Sequence, residues 1–275
     1  MKNFRISTFN VNSLKARLPI VENFLSGEDA PDILCLQETK CQDANFPSDF
    51  FSAMGYECAF SGMKSYNGVA IASRTRPDRI GVGFEDGLDS EQDRARVIRA
   101  RFENLNVVCT YVPQGKEMSS PDFAYKKKFL QRLRAMFERD YKLSDLMLWT
   151  GDINVVATDI DVTHPENKRD HVCVCDEIRE SLEGVISWGL VDVFRKHRPD
   201  PGEFSFWDYR VKGAFERNTG WRIDHLFATP ALADLSAGAY VVRRLRAMER
   251  PSDHTAVTGV FGIDSDSKPF GLESE

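Results

Sequence analysis

Apolar positions along this chain fall in short runs rich in Val, Ile, Leu and Phe, and several runs stop abruptly at a polar group unsuited to a core. Runs of about four to eight such residues, bounded by Gly, Pro, Asn or Asp, predict strands. The clearest is Leu146-Met-Leu-Trp-Thr-Gly-Asp-Ile-Asn154, a fully buried strand that ends in a carboxylate and a carboxamide. Asp152 and Asn154 are two residues apart, so on an extended backbone they point the same way. Gly, Asp and Asn are also the usual turn residues, and this stretch alone does not separate a turn from a site.

The same texture recurs. Phe4 to Val11 predicts a first strand ending in Asn10-Val-Asn12, and Asp32 to Glu38 a second that discharges into Gln37 and Glu38. Ser13 begins a turn, and Pro19 suits the first turn of a helix that Gly27 stops. Phe46 to Met54 predicts a short helix closed by Gly55. From Tyr56 to Thr110, short β-prone segments separated by Asn67-Gly68, Pro77-Asp78 and Asp86-Gly87 predict an antiparallel meander, with Val107 to Val112 its last strand.

Ser120-Pro121 opens a helix with Phe129, Leu130, Leu133, Met136 and Phe137 on one stripe. Residues 157–172 are polar and irregular, a surface loop. A second helix runs from about Asp176 to Gly189. Segments at Leu190 to Phe194, Phe204 to Arg210 and Trp221 to Ala228 follow, then a strand near 239–243 and Thr255 to Phe261. Residues 264–275 are polar and acidic, a disordered tail. Strands outnumber helices, with no short-period repeat or low-complexity linker. The expectation is one domain over residues 1–263, two sheets packed face to face with helices outside.

Composition narrows the class. At 275 residues, 42% hydrophobic and 28% charged, the chain has the make-up of a soluble globular protein. No run is long enough to span a bilayer and no signal-peptide pattern opens the chain, so a cytoplasmic protein without membrane partners is expected. Of the six cysteines, only Cys173 and Cys175 are close-spaced, with no second pair to complete a zinc site. Net charge of −6 argues against a strongly basic, non-specific nucleic-acid binder. Three local basic groups stand out: four arginines in 94–101, Lys126 to Arg134, and Arg243 to Arg246. Each is a solvated face or part of an anionic partner's footprint.

Six strand ends or adjacent loops carry polar groups: Asn10/Asn12, Glu38, Tyr111, Asp152/Asn154, Asp224/His225 and Asp253/His254. Hard divalent cations take oxygen ligands, and Glu38 with Asp253, helped by Asn10 or Asp152, meets that demand. A histidine moves protons near neutral pH when a carboxylate fixes its tautomer, and Asp224 with His254 are candidates for that pair. Taken singly, Pro251-Ser-Asp-His254 reads as a turn, Tyr111 as a packed ring, and Phe206, Trp207 and Trp221 as core. The set as a whole points to a site.

These residues carry a resemblance. Phe9 to Arg17, Leu36-Gln-Glu-Thr-Lys40, Tyr111-Val-Pro-Gln-Gly115, Gly151-Asp-Ile-Asn154, Trp188 to Asp192, Phe204 to Arg210, Gly220-Trp-Arg-Ile-Asp224 and Pro251 to His254 resemble, in order, the exonuclease III family of abasic-site endonucleases. The resemblance covers roughly residues 3–262 and implies an α/β fold, a four-layer αββα sandwich with the site at one edge of its sheets. It implies hydrolysis, with Mg²⁺ or Mn²⁺, of the DNA phosphodiester 5′ to an abasic site. It also implies 3′-5′ exonuclease or 3′-phosphatase activity, by a monomer on double-stranded DNA with abasic sites or blocked 3′ ends.

Carried over by motif, Glu38 is the main metal ligand, with Asn10 and Asp253. Asp152 orients the attacking water beside Asn154. His254, held by Asp224, binds the scissile phosphate, and Tyr111 touches the same phosphate or the leaving group. Phe206, Trp221 and Ile223 line an apolar pocket for a sugar without a base, and Asn218 and Arg96 are DNA contacts. Asn12 stands where some members carry an acid, and Val174 to Arg179 replaces a Phe-Leu-Pro-Glu-Glu-Arg segment common in the family. A general deoxyribonuclease or lipid or nucleotide phosphoesterase, and a non-catalytic DNA-binding scaffold, are the other readings.

Overall fold

Among the described residues, twelve strands form two six-stranded sheets, and the alternation of side chains along them decides what each layer buries. The structure, a computed structural model, describes residues 2–263; the expected tail at 264–275 lies outside the described residues. The first sheet comprises β1 (Lys2–Asn10), β2 (Ile33–Gln37), β3 (Glu57–Ser61), β4 (Val69–Ser73), β11 (Ser236–Val241) and β12 (Val257–Ile263), in the order β11-β12-β1-β2-β4-β3. The second comprises β5 (Arg79–Val82), β6 (Val97–Phe102), β7 (Leu105–Tyr111), β8 (Leu146–Asp152), β9 (Val191–Asp192) and β10 (Asp224–Ala228), in the order β5-β6-β7-β8-β10-β9.

Between the sheets lies one core, built from Phe4 and Ile6 of β1, Ile33 and Cys35 of β2, Val107 and Cys109 of β7, Leu148 of β8 and Leu226 of β10. The alternate residues face outward. Phe9, Leu34 and Leu36 pack under α1 (Leu14–Leu25) and α2 (Ser48–Ala53). Met147, Trp149 and Phe227 pack under α4 (Pro121–Asp140) and α5 (Asp176–Ile186). The chain is therefore the expected four-layer αββα sandwich. Burial on both faces explains why β2 and β8 read as continuous apolar runs.

Shorter helices complete the chain: α3 (Glu91–Arg94), α6 (Val193–His197), α7 (Pro230–Asp234) and α8 (Arg243–Arg246). The Ser120 hydroxyl accepts from the Phe123 amide at 3.2 Å to cap α4, and the predicted stripe from Phe129 to Phe137 is buried.

Three local expectations change. Pro19 sits inside α1, whose first residue is Leu14, so the helix tolerates one missing backbone hydrogen bond past its first turn. The stretch 56–110 is not one meander. β3 pairs with β4 in the first sheet, and the chain then crosses past Pro77 to the antiparallel run β5-β6-β7 in the second. The 157–172 loop is not wholly superficial, because Asp161 is completely buried. It accepts from Arg222 Nε at 2.6 Å and from Arg195, and Arg222 Nη2 also reaches Asp192 Oδ2 at 2.7 Å. This network ties the loop to the end of β9 and to the segment ahead of β10.

Strand direction places the polar ends together. β1 and β2 are parallel, as are β7 and β8, so Asn10, Gln37, Tyr111 and Asp152 all lie at C-terminal ends on one edge. β10 runs antiparallel to β8, which sets Asp224 opposite Asp152. β12 runs antiparallel to β1, which brings the preceding Asp253 and His254 to the same edge. Asn10 follows Ile6 by four residues and Asp152 follows Leu148 by four. Both therefore continue rows of side chains that face the gap between the sheets.

Candidate active site

The inter-sheet core ends in a polar cluster. Asn10 is fully buried, and its Nδ2 donates to Glu38 Oε1 and to Asp152 Oδ2, each at 2.9 Å. One carboxamide thus joins an acid of the first sheet to an acid of the second. Its own oxygen accepts from the Asn12 amide at 3.0 Å. Asn12 Nδ2 donates to Asp253 Oδ1 at 3.1 Å, and Lys40 Nζ reaches both Asn12 Oδ1 at 2.5 Å and Glu38 Oε2 at 2.9 Å. Burial works to raise the Glu38 carboxyl, but hydrogen bonds from Asn10 and Lys40 and the Lys40 charge outweigh it and hold its pKa below the ordinary value.

Asp152 is buried beside these groups. Its Oδ1 accepts from the Asn154 amide at 3.0 Å, and its Oδ2 also accepts from Asn154 Nδ2 at 3.2 Å. Asn154 has a left-handed backbone, φ 53°, so it reaches Asp152 by a local turn rather than along an extended strand. Gly151 lets β8 end there: its φ is +140°, and a Cβ would stand 1.9 Å from the Thr110 carbonyl oxygen. Burial, with the Asp224 and Glu38 charges, pushes the Asp152 pKa up to about 7, against the pull of His254 and Asn10.

His254 Nδ1 bonds Asp224 Oδ2 at 2.8 Å, and its Nε2 lies 3.7 Å from Asp152 Oδ2. Ser205 Oγ donates to Asp224 Oδ2 at 2.6 Å. Burial disfavours the imidazolium, but the Asp224 and Asp152 carboxylates overcome that and raise its pKa to about 10. The imidazole is therefore charged at neutral pH, a fixed donor rather than a base. Tyr111, packed at the end of β7, keeps its proton because burial and the Glu38 and Asp152 charges push its pKa well up. Arg96 lies over its ring at 4.6 Å and donates to its carbonyl at 3.0 Å.

An aromatic wall adjoins His254. The Phe206 ring is 4.9 Å from the imidazole and 6.4 Å, edge-on, from Trp221, with Ile223 buried in the core both pack against. His171, from the loop before α5, sets its ring edge-to-face on Trp221 at 4.7 Å. Burial and the Lys126, Arg210 and Lys168 charges hold its pKa down to about 4.

Several predicted residues lie elsewhere or do something else. The Asn218 carboxamide is engaged by Trp207 Nε1, Arg243 and the Gly202 carbonyl, so it braces Trp207. His225 faces away from Asp224, with Nε2 at 2.8 Å from the Val155 carbonyl oxygen and its ring stacked on Phe227. Part of each basic group is neutralised: Arg99 by Glu85 and Asp140, Arg132 by Asp86, Asp89 and Asp93, Lys127 by Glu177, Arg244 by Asp29. Lys40, Ser205 and His171 join the site without having been singled out. Lys40 had one signal, its place two residues after the acid that ends β2.

The donor set suits a hard divalent cation. Glu38 pairs with Lys40, Asp152 and Asp224 face His254, and Asp253 joins the cluster through Asn12, so full ionisation of these four carboxylates against two bases leaves two negative charges in excess. Asp224 Oδ1 is buried with no hydrogen-bond partner, and burial first, then the Asp224 and Glu38 charges, make Asp152 resist ionisation. The tightest acidic group is Asp152, Asp224 and His254, with one atom from each within 4.8 Å of the others. Its imidazole Nδ1 is already committed to Asp224.

Residues 7–254 match the Endonuclease/Exonuclease/phosphatase family, a span that takes in every residue of the cluster. The chain belongs to that family. It is 33% identical over 266 residues to the exodeoxyribonuclease III of Haemophilus influenzae, covering 92% of this chain and 98% of that one. Among solved structures it is similar to an AP endonuclease from Archaeoglobus fulgidus, with 41% identity, TM-score 0.91 and coverage of 94% and 100%. It is also similar to a 3′-5′ exonuclease from Neisseria meningitidis, with 35% identity, TM-score 0.89 and the same coverage. These likenesses place the family member in the exonuclease III branch, a hydrolytic DNA repair nuclease. Among the described residues no helix is long and apolar enough to cross a membrane.

Proposed function

We propose that this nuclease hydrolyses DNA phosphodiesters with Mg²⁺, for which Mn²⁺ substitutes. It cuts 5′ to abasic sites in double-stranded DNA and removes blocking groups from 3′ ends, as a cytoplasmic monomer. The observation that carries the reading is the Asn10 bridge, which holds Glu38 and Asp152 on opposite sides of one buried amide. This supports a reading in which Glu38 serves as the metal-binding acid and Asp152 as the water-orienting acid of one site.

Glu38 would hold the cation with Asn10 and Asp253, and the bound cation supplies Lewis-acid polarisation of a phosphoryl oxygen. Asp152, its carboxylate plane held by Asn154 and Asn10, orients the attacking water and takes its proton near neutral pH. The His254 imidazolium, steadied by Asp224, donates from Nε2 to a non-bridging oxygen and stabilises the charge that develops there. Tyr111, with its proton kept, donates to the same phosphate or to the leaving oxygen. Phe206, Trp221 and Ile223 present an apolar face to a sugar that carries no base.

One observation favours a second reading, in which 3′-end processing dominates over internal cleavage. His171 already rests on Trp221 and narrows the aromatic face, and a strand that ends there needs less room than one that runs on. The two readings separate in one assay. Equal protein is offered a duplex with an internal abasic analogue and a duplex with a 3′-phosphate, each with Mg²⁺. Cleavage 5′ to the lesion at a rate comparable to phosphate release supports the first reading, release alone supports the second, and neither product overturns both.

A further inference from the structure

Lys126 lies on the face of α4 packed against the second sheet, and it is completely buried. A lysine ammonium has three protons to donate. This one gives them to three backbone carbonyls: Gln114 at 3.1 Å, Asn154 at 2.7 Å and Val172 at 2.7 Å, with Cys173 Sγ at 3.7 Å. Gln114 lies between β7 and α4, and Asn154 and Val172 lie at the two ends of the connection from β8 to α5. Gln114 follows Tyr111, Asn154 follows Asp152, and Val172 follows His171, which rests on Trp221. Gly115 makes room for the lysine stem: its φ is +99°, and a Cβ there would stand 3.2 Å from Lys126 Cδ.

The bond to Asn154 matters most. Asn154 has φ 53°, a left-handed conformation that asparagine tolerates better than most L residues because its side chain bonds locally. Its amide and Nδ2 both clamp the Asp152 carboxylate, and its Nδ2 also donates to the Val112 carbonyl at 3.0 Å. Lys126 grips the backbone carbonyl of that residue.

We infer that Lys126 is a positioning residue for hydrolysis: by holding the Asn154 carbonyl it sets the plane of the Asp152 carboxylate against the attacking water. The inference rests on the assignment of Asp152 and Asn154 as the water-orienting pair. A base that merely satisfied three carbonyls would support stability and leave the rate per folded molecule alone. A base that sets the geometry of a reacting group changes the rate, because misplacement by about 1 Å costs on the order of 10²-fold.

The test is single-turnover hydrolysis at saturating DNA, so that chemistry and not product release is read. It compares wild type, Lys126→Arg, Lys126→Met and Asp152→Asn on the better of the two duplexes above. Folded Lys126→Met is expected to lose roughly 10–100-fold in rate, with affinity for the duplex within about threefold of wild type. Lys126→Arg, which keeps the charge and donors but displaces the carbonyl, falls between the two. If Lys126→Met does not fold, Lys126→Arg decides alone. A rate per folded molecule equal to wild type in the folded variants, or a loss confined to DNA affinity, overturns the inference. Asp152→Asn at the wild-type rate would instead overturn the assignment beneath it.

Discussion

Asn10 and Asp152 lie on facing strands of different sheets, and the amide of one donates to the carboxylate of the other at 2.9 Å. Each continues a row of inward side chains whose earlier members, Ile6 and Leu148, belong to the core between the sheets. The site is thus the polar end of that core. Asn10, Tyr111, Asp152 and Asp224 stand on strands, while Glu38, Asp253 and His254 lie just outside them and are held by Asn10, Asn12 and Asp224.

Replacing Asn10 with Asp would add a negative charge against Asp152 and remove a donor to it. Both changes raise the Asp152 pKa further above about 7. The acid limb of the pH–rate profile is expected to move upward by about one unit. An unmoved limb, measured under single-turnover conditions, would separate Asp152 from the proton-accepting step.

The wild-type profile should itself be bell-shaped. Activity rises as Asp152 loses its proton near pH 7 and falls as His254 loses its own toward pH 10. Asp224→Asn removes the charge that chiefly sustains the imidazolium, so the alkaline limb should move to lower pH. The His254 interaction also stabilises the fold. Because its folded-state pKa is raised, that contribution is complete below the unfolded value near 6.5 and is lost as pH rises through about 10. Denaturant midpoints for Asp224→Asn and wild type should therefore converge between those pH values, and a constant gap would contradict the pairing.

The buried Arg222 network predicts a stability effect. Arg222→Ala leaves Asp161 and Asp192 without their shared partner, a loss of about 3–5 kcal/mol or roughly 10 °C in Tm. Burial acts to raise the Asp161 carboxyl, but Arg222 holds its pKa far below the ordinary carboxylate range. Its contribution is complete above the unfolded value near 4 and is lost as pH falls through the folded one. Thermal melts should show the wild-type advantage at pH 7 shrinking below about pH 4. An Arg222→Ala melt equal to wild type at pH 7 would rule the network out as a structural clamp.

Much of the site was legible because its residues break a pattern. Asn10, Glu38, Tyr111 and Asp152 each close an apolar run and Asp224 opens one, and a polar group there has no reason to exist in a core. The sandwich was legible from both-face burial in β2 and β8. What stayed hidden conforms to an ordinary pattern. Lys126 stands on an amphipathic helix beside two further lysines, where a charged residue reads as solvated, and only tertiary packing turns it inward. Asp161 sits in a polar stretch whose composition is that of a surface loop, and its partner Arg222 is distant in the chain. The division of 56–110 between two sheets depends on a crossover that local periodicity does not encode. His171 carried no signal, because its role lies in what it rests against.

The central claim is that these converging strand ends hydrolyse DNA phosphodiesters with a divalent cation and Asp152. The most direct measurement offers a duplex bearing one abasic analogue and a 3′-phosphate to wild type and Asp152→Asn, with Mg²⁺ or with EDTA. Wild type with Mg²⁺ is expected to hydrolyse at the lesion, at the 3′ end or at both, and EDTA or Asp152→Asn to lower that rate by about a hundredfold or more, the order expected for a lost proton acceptor. Hydrolysis undiminished by EDTA, or equal in Asp152→Asn and wild type, would contradict it.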